Sequence, residues 1–194
     1  ISSKIEHMRA FICNFNFGDY FNTLQSNTGS TIYIFGILIL ILKNYEIFDS
    51  ELQQEIRNRI TSQINVKQLI DYYQTARSSK EEIKYIKLLI SLLKIDYDII
   101  IIYFQTYTNE TENILGINKI INLIEGGSYE LRILALELFE VIFSVRSPMT
   151  YFKAFNCESE NQIRFLDVLI DVFENEDEAL FLKALKIINT IINW

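Results

Sequence analysis

The chain has 194 residues, one proline and six glycines, and 49% of it is hydrophobic. That is enough apolar chain for a sizeable core in one or two domains, and it excludes both a disordered linker and a turn-rich all-β fold. A net charge of -7 and a sequence pI of about 4.8 exclude a nucleic-acid binder, which needs a basic face to displace phosphate counterions; the acidity suits a basic patch on a protein partner, or serves solubility alone.

Helices are expected in chain order over 3–14, 19–25, 31–43, 51–62, 66–76, 80–94, 97–107, 117–125, 129–145, 148–155, 160–174 and 177–193. The longest apolar run, Ile32 to Leu42, has eleven residues. A bilayer needs about 20, so it reads as a buried helix and no membrane insertion is expected. Capping boxes mark several starts: Ser50 with Gln53, Ser79 with Glu82, and Ser159 with Gln162. In each, two otherwise orphan donors are satisfied reciprocally. Asn65 with Gln68 and Asn175 with Glu178 are Asn-capped equivalents, and Ser147-Pro148 puts a cap before a first-turn proline. Gly116 and Gly126-Gly127 read as punctuation. The run Tyr97 to Phe104 is rich in β-branched residues, which favours a strand. No neighbouring segment alternates with period two, so it would lack a partner and is read as a buried helix. The start, Ile1-Ser2-Ser3-Lys4, has neither initiator Met nor signal pattern, so a piece of a longer protein is expected.

Internal repetition is the most informative feature. Shifted by 49 residues, the stretch from Ile117 overlays the stretch from Leu166. Ile117 meets Leu166, Ile120 meets Leu169, Ile121 meets Ile170, and Ile124 meets Phe173. Glu125 meets Glu174, Leu131 meets Leu180, Ile133 meets Leu182, and Ala135-Leu136 meets Ala184-Leu185. Leu138 meets Ile187 and Ile142 meets Ile191. Each unit is a short helix, a tight turn and a longer helix, the armadillo or HEAT pattern, whose period is about 40–47 residues. A helix pair cannot bury both faces alone, so units stack into a solenoid with a concave groove. The competing explanation is chance similarity in an Ile-rich chain. The expected fold is thus all-α: an armadillo/HEAT-type helical solenoid over 31–194, preceded by an N-terminal helical segment over 1–30.

The chemistry of catalysis is thin. Cys13 and Cys157 with the single His7 make neither a disulfide framework nor a zinc site. Both thiols are expected to pack as small apolar groups in a reducing, cytoplasmic compartment. His7 would have to serve any Ser-His or Cys-His device; in an amphipathic helix it reads as a surface or interface residue. There is no Gly-rich phosphate loop. Glu174, Glu176, Asp177 and Glu178 sit where carboxylates favour the macrodipole of the last helix, and capping is preferred over a metal site. Phe11, Phe15, Phe17, Tyr20 and Phe21 are either partner anchors or core. No enzyme, cofactor or metal is expected.

At the repeats the sequence resembles the armadillo-repeat inhibitory region of Diaphanous-related formins. There a short helix reads GxxxLLxxL and a longer one VRLxxLKLLxALC. Here Gly116 to Ile124 and Leu131 to Phe143 stand in those places. The family's VLEA, RFxPLLxxL and ALKxxCLQLINAL helices have counterparts in Tyr151-Phe152-Lys153-Ala154, Arg164 to Leu169, and Ala179 to Ile191. Upstream, Tyr20 to Ser26 resembles the YxxxLxS motif of the formin GTPase-binding region, and Leu42-Lys43-Asn44 ends a stretch similar to LRVSLNN. The resemblance covers roughly residues 18–194; order and spacing carry it, and no single motif is diagnostic. The family's tryptophan after LNN is absent, with Phe48 nearby. Its MNNK stretch is replaced by Ile90-Ser91-Leu92-Leu93-Lys94. On the third repeat's long helix Glu137 replaces Lys, Val141 replaces Ala, and Ser144 replaces an apolar residue.

The resemblance implies a regulatory binding module acting in the cytoplasm on the actin cytoskeleton, with actin engaged only indirectly. It implies a Rho-family small GTPase in its GTP form as partner, docked on the first helices and the loop after the apolar helix: Lys43, Asn44 and Tyr45 are carried over from the family's Asn-rich loop, and Lys4, Met8 and Phe11 are the candidates on the first helix. The alternative for Lys43-Asn44 is a plain helix C-cap. The protein's own C-terminal autoregulatory tail is implied as a second partner, in a groove carrying Ser91, Glu137, Val141, Ser144, Val145 and Asn189. Val141 would overpack that groove, Ser144 would leave a hydroxyl unbonded, and Glu137 would repel an acidic tail. The alternative is that these positions are buried in the solenoid. Rival functions are another armadillo or HEAT scaffold binding an extended peptide, and an enzyme on an all-helical fold with paired, perturbed carboxylates in a deep pocket.

Overall fold

The computed structural model describes residues 2–16, 18–19, 31–64, 69, 78–96, 115–145, 159–175 and 178–193. Among them lie eight α-helices and one 3-10 turn, and no strand. In chain order these are α1 (Ser2–Asn14), α2 (Thr31–Lys43), the 3-10 turn (Tyr45–Ile47), α3 (Ser50–Gln63), α4 (Ser79–Ile95), α5 (Leu115–Gly126), α6 (Tyr129–Val145), α7 (Ser159–Asn175) and α8 (Glu178–Ile192). The expected helices at 97–107 and 148–155 lie outside the described residues. So do those at 19–25 and 66–76, apart from Asp19 and Leu69, both helical. The caps at Asn65, Ser147-Pro148 and the Asn175 junction also fall outside. No helix among the described residues is long and apolar enough to cross a membrane.

Two compact units divide the chain, Ile1–Ile99 and Ile100–Trp194. α1, expected to open a separate segment, shares the first unit with α2, α3 and α4. There α2 packs on α4. It turns Ile34, Phe35, Leu38, Ile39, Ile41 and Leu42 inward, and the rings of Phe35 and Tyr85 lie 6.4 Å apart. Burying each such side chain is worth roughly 1.5–3 kcal/mol. The helix is not buried all round, contrary to the sequence expectation. Tyr33, Ile37 and Leu40 are exposed, because the packing on α4 covers only one side of the cylinder.

α3 buries Leu52, Ile56 and Ile60, one residue per turn. Its cap is Asp49, not Ser50. The extended Asp49 accepts the Leu52 N–H at 3.0 Å. Gln53, expected to close a box, instead donates to the carbonyls of Tyr45 (3.1 Å) and Phe48 (2.9 Å), stitching the 3-10 turn to α3. α4 is likewise capped one residue early, by Ser78 accepting from Glu81. In both cases the residue before the expected cap has extended backbone and a short side chain whose oxygen accepts the N–H three residues on.

In the second unit α5 and α6 form one hairpin and α7 and α8 another. α5 ends at 126 and α7 at 175, while α6 begins at 129 and α8 at 178, so both pairs keep the 49-residue offset. The first turn is tight. Gly127 donates to Leu123 (3.0 Å), and the Arg132 guanidinium donates back to the Ile124 carbonyl (2.7 Å), capping α5 from the helix that follows it. Gly116 lies inside the first turn of α5 rather than before it. First helix packs on first helix, α5 on α7, and second on second, α6 on α8. Phe165 of α7 is fully buried and seats its ring 4.4 Å from Phe139 and 5.7 Å from Phe143 of α6.

Candidate functional site

The candidate GTPase residues fall on two segments of the first unit. Lys4, Met8 and Phe11 are spaced i, i+4, i+7 along α1, one register face of a helix; the side chains of Lys4 and Met8 lie outside what is described. Phe11 is 45% exposed, its ring 5.2 Å from that of the buried Phe15. Ala10, Phe11, Asn14 and Phe15 line a shallow, open depression of about 420 Å³. Of the five sequence-singled aromatics, Phe15 is therefore core and Phe11 is surface. Phe17, Tyr20 and Phe21 lie outside the described residues.

Lys43, Asn44 and Tyr45 follow α2. Lys43 is exposed at the helix end, where a cation favours the dipole. Asn44 donates its amide to the Leu40 carbonyl at 2.7 Å and its backbone N–H to Ile41 at 3.1 Å. Its side chain thus serves as the helix C-cap, the alternative weighed for this pair, and only Lys43 presents an open charge. Tyr45 is half-buried in the 3-10 turn.

α3 joins these segments. Arg9 of α1 pairs with the Asp49 carboxylate and lies 3.9 Å from Glu51. Arg59, one helix length on and braced by Glu55 at 2.5 Å, donates to the carbonyls of Ile12 (3.4 Å) and Phe15 (3.3 Å). α1 is therefore held at its middle and at its C-terminal end, and Arg9 meets α3 where the 43–49 segment enters. The Leu52 N–H, and then Arg9, hold the Asp49 carboxyl below its ordinary value against the opposing effect of desolvation. Neither arginine was singled out in the sequence. An acid at a helix start and an Arg on another helix were visible, but nothing in one dimension pairs residues 40 positions apart.

The tail-groove residues divide between the units. Ser91 is buried in the first, its hydroxyl donating to the Lys87 carbonyl (2.8 Å) of its own helix. Glu137 and Val141 are half-buried and Ser144 is exposed, spaced i, i+4, i+7 on α6. They are not core, so the buried alternative does not hold for these three. Val145 ends α6 with its side chain outside the described set. The expected unbonded hydroxyl is corrected: Ser144 donates to the Val141 carbonyl at 2.8 Å, and its hydrogen-bonding need is met within the helix. Asn189 is exposed on α8 and accepts from Asn193 (2.9 Å).

Cys13 is exposed, not packed as expected. α1 buries the turn face of Ile12 and Phe15, which leaves the position after Ile12 facing out. Cys157 lies outside the described residues. His7 is exposed on α1. Among the described residues no three His, Cys, Asp or Glu side chains gather as a metal site. The chain matches no protein-family model, no curated protein and no solved structure.

Proposed function

We propose that this chain is the regulatory binding module of a formin-like protein, a helical solenoid whose first unit docks the GTP form of a Rho-family GTPase. One observation carries the reading: the two candidate GTPase segments, α1 and the 43–45 segment that the resemblance assigns, both abut the start of α3 through Arg9–Asp49 and the Gln53 stitches. A half-exposed Phe11 and an open Lys43 suit a partly acidic, mobile switch surface. The solenoid reading is supported by hairpins that keep one offset and stack first on first and second on second. The work done is binding with population shift, not catalysis. GTPase engagement would displace the protein's own tail from the α6 row of Glu137, Val141 and Ser144 and release actin assembly elsewhere in the protein.

A pull-down against a panel of GTP- and GDP-loaded small GTPases tests it. Retention of a Rho-family member in the GTP form alone is the expected outcome. Retention of none, or of both forms equally, contradicts it.

A further inference from the structure

Gly36 sits in the middle of the apolar helix α2, and nothing in the described fold requires it. Glycine inside a helix is destabilising relative to alanine, because it loses more backbone freedom on folding. Where packing demands the missing side chain, a Cβ would collide, as at Gly127. At Gly36 a Cβ would meet only the Lys84 Nζ at 3.6 Å, an ordinary contact with the end of a flexible side chain. The backbone there is helical, so no left-handed conformation calls for glycine either. Among the described residues the space over Gly36 is otherwise open.

The residues around it complete a shape. Tyr33, Gly36, Ile37 and Leu40 are spaced i, i+3, i+4, i+7, the four corners of the hole that receives one knob side chain when helices interlock. Tyr33 is 76% exposed, Ile37 37% and Leu40 59%. Three corners are therefore apolar and turned outward, and the glycine corner leaves depth for a large knob. The border is cationic. Lys84 of α4 lies against Gly36 and pairs with no carboxylate among the described residues. Lys43, one turn beyond Leu40, is exposed as well. In a chain of net charge -7, this sets positive charge beside exposed apolar surface, which selects an acidic occupant.

We propose that this hole on α2 is a docking site for an amphipathic helix of another protein. That helix seats a large apolar side chain over Gly36 and carries carboxylates one turn to either side of it, for Lys84 and Lys43. The knob supplies the buried surface, and the carboxylates fix register and orientation. A second copy of this chain is the poorer occupant: two such faces related by a twofold axis would bring the Lys84 ammonium groups together. The site shares only Lys43 with the GTPase reading and does not depend on it.

Two alanine-based helical peptides test it with the full chain. One carries a central Leu with Glu four residues to either side; the other has Lys at those two positions. Read by fluorescence anisotropy, the Glu peptide binds the wild type about ten-fold or more tighter than the Lys peptide. Gly36→Leu, which fills the hole, weakens the Glu peptide by about ten-fold or more, and Lys84→Glu inverts the preference between the peptides. Gly36→Ala keeps or raises the melting temperature, since its methyl has room. No binding of the Glu peptide to the wild type, equal binding of both peptides, or a melting temperature lowered by Gly36→Ala overturns the proposal. So does finding by light scattering that the chain alone is a dimer which Gly36→Leu disperses.

Discussion

Arg164 of α7 reaches across the hairpin boundary to the carboxylate of Glu125 on α5, 39 residues away in sequence. The pair fixes which turn of one hairpin meets which turn of the next. Both side chains are about two-fifths exposed, so it sets register more than stability. A double-mutant cycle of Arg164→Ala and Glu125→Ala is expected to give a coupling of about 0.2–1 kcal/mol. A coupling of zero would remove the pair from the register argument.

Phe165, beside it, carries the energy. Its ring is fully buried against Phe139 and Phe143. Phe165→Ala is expected to cost about 3–5 kcal/mol in denaturant unfolding. Leu166→Ala, one position on and 42% exposed, is expected to stay within about 0.5 kcal/mol. Equal losses at the two positions would mean that the hairpins do not pack as described.

The turn between α5 and α6 separates two adjacent glycines. A Cβ on Gly127 would collide with the Leu123 carbonyl oxygen and sit 3.2 Å from Leu131 Cβ, whereas one on Gly126 meets nothing. Gly127→Ala is expected to destabilise by about 1–3 kcal/mol. Gly126→Ala, in the last helical position, is expected to be neutral or stabilising by up to about 1 kcal/mol. Thermal melts of the two variants decide this.

Acid should loosen α1. The folded-state carboxyl of Asp49 is held below its ordinary value. Its contribution is therefore full at pH above the unfolded pKa of about 4. It is lost as pH falls through the lower folded value. Asp49→Asn keeps a capping side chain but removes the charge that holds Arg9. In the wild type, amide exchange of α1 should rise as pH drops below that window, after correction for intrinsic rates. In Asp49→Asn it should be raised already at neutral pH and show no further acid step. An acid step of the same size in the variant would assign the effect elsewhere.

The α6 row bears on self-inhibition. Ser144 satisfies itself, so one of three expected penalties falls away. Val141 still adds bulk and Glu137 still opposes an acidic tail. A family-type tail peptide is expected to bind this chain weaker than about 1 μM, and Glu137→Lys with Val141→Ala to tighten it by about ten-fold. Sub-micromolar binding to the wild type, read by calorimetry, would contradict this account of the substitutions.

Much of the helical layout was legible in the sequence. The 31–43 and 129–145 bounds coincide with α2 and α6, because each begins and ends where apolar periodicity stops. The 49-residue offset was readable because buried positions such as Leu131/Leu180 and Ala135/Ala184 repeat in kind. Caps slipped by one residue at Asp49 and Ser78, where two adjacent side chains are each able to cap and only backbone conformation chooses. The ties that place α1, Arg9–Asp49 and Arg59 to Ile12 and Phe15, were not legible. They depend on long side chains meeting across distant helices, which no local pattern records. Exposure was misjudged for Cys13 and for one side of α2, since composition reports apolarity and not how much of a helix its neighbours cover.

The central claim is that the first unit docks a GTP-loaded Rho-family GTPase through α1 and the 43–45 segment. Calorimetric titration of that GTPase into the wild-type chain and into Lys43→Glu with Tyr45→Ala tests it most directly. The account predicts binding of the GTP form alone and a loss of about ten-fold or more in the double variant. Equal affinity of the two chains, or no binding to the wild type in either nucleotide state, would contradict it.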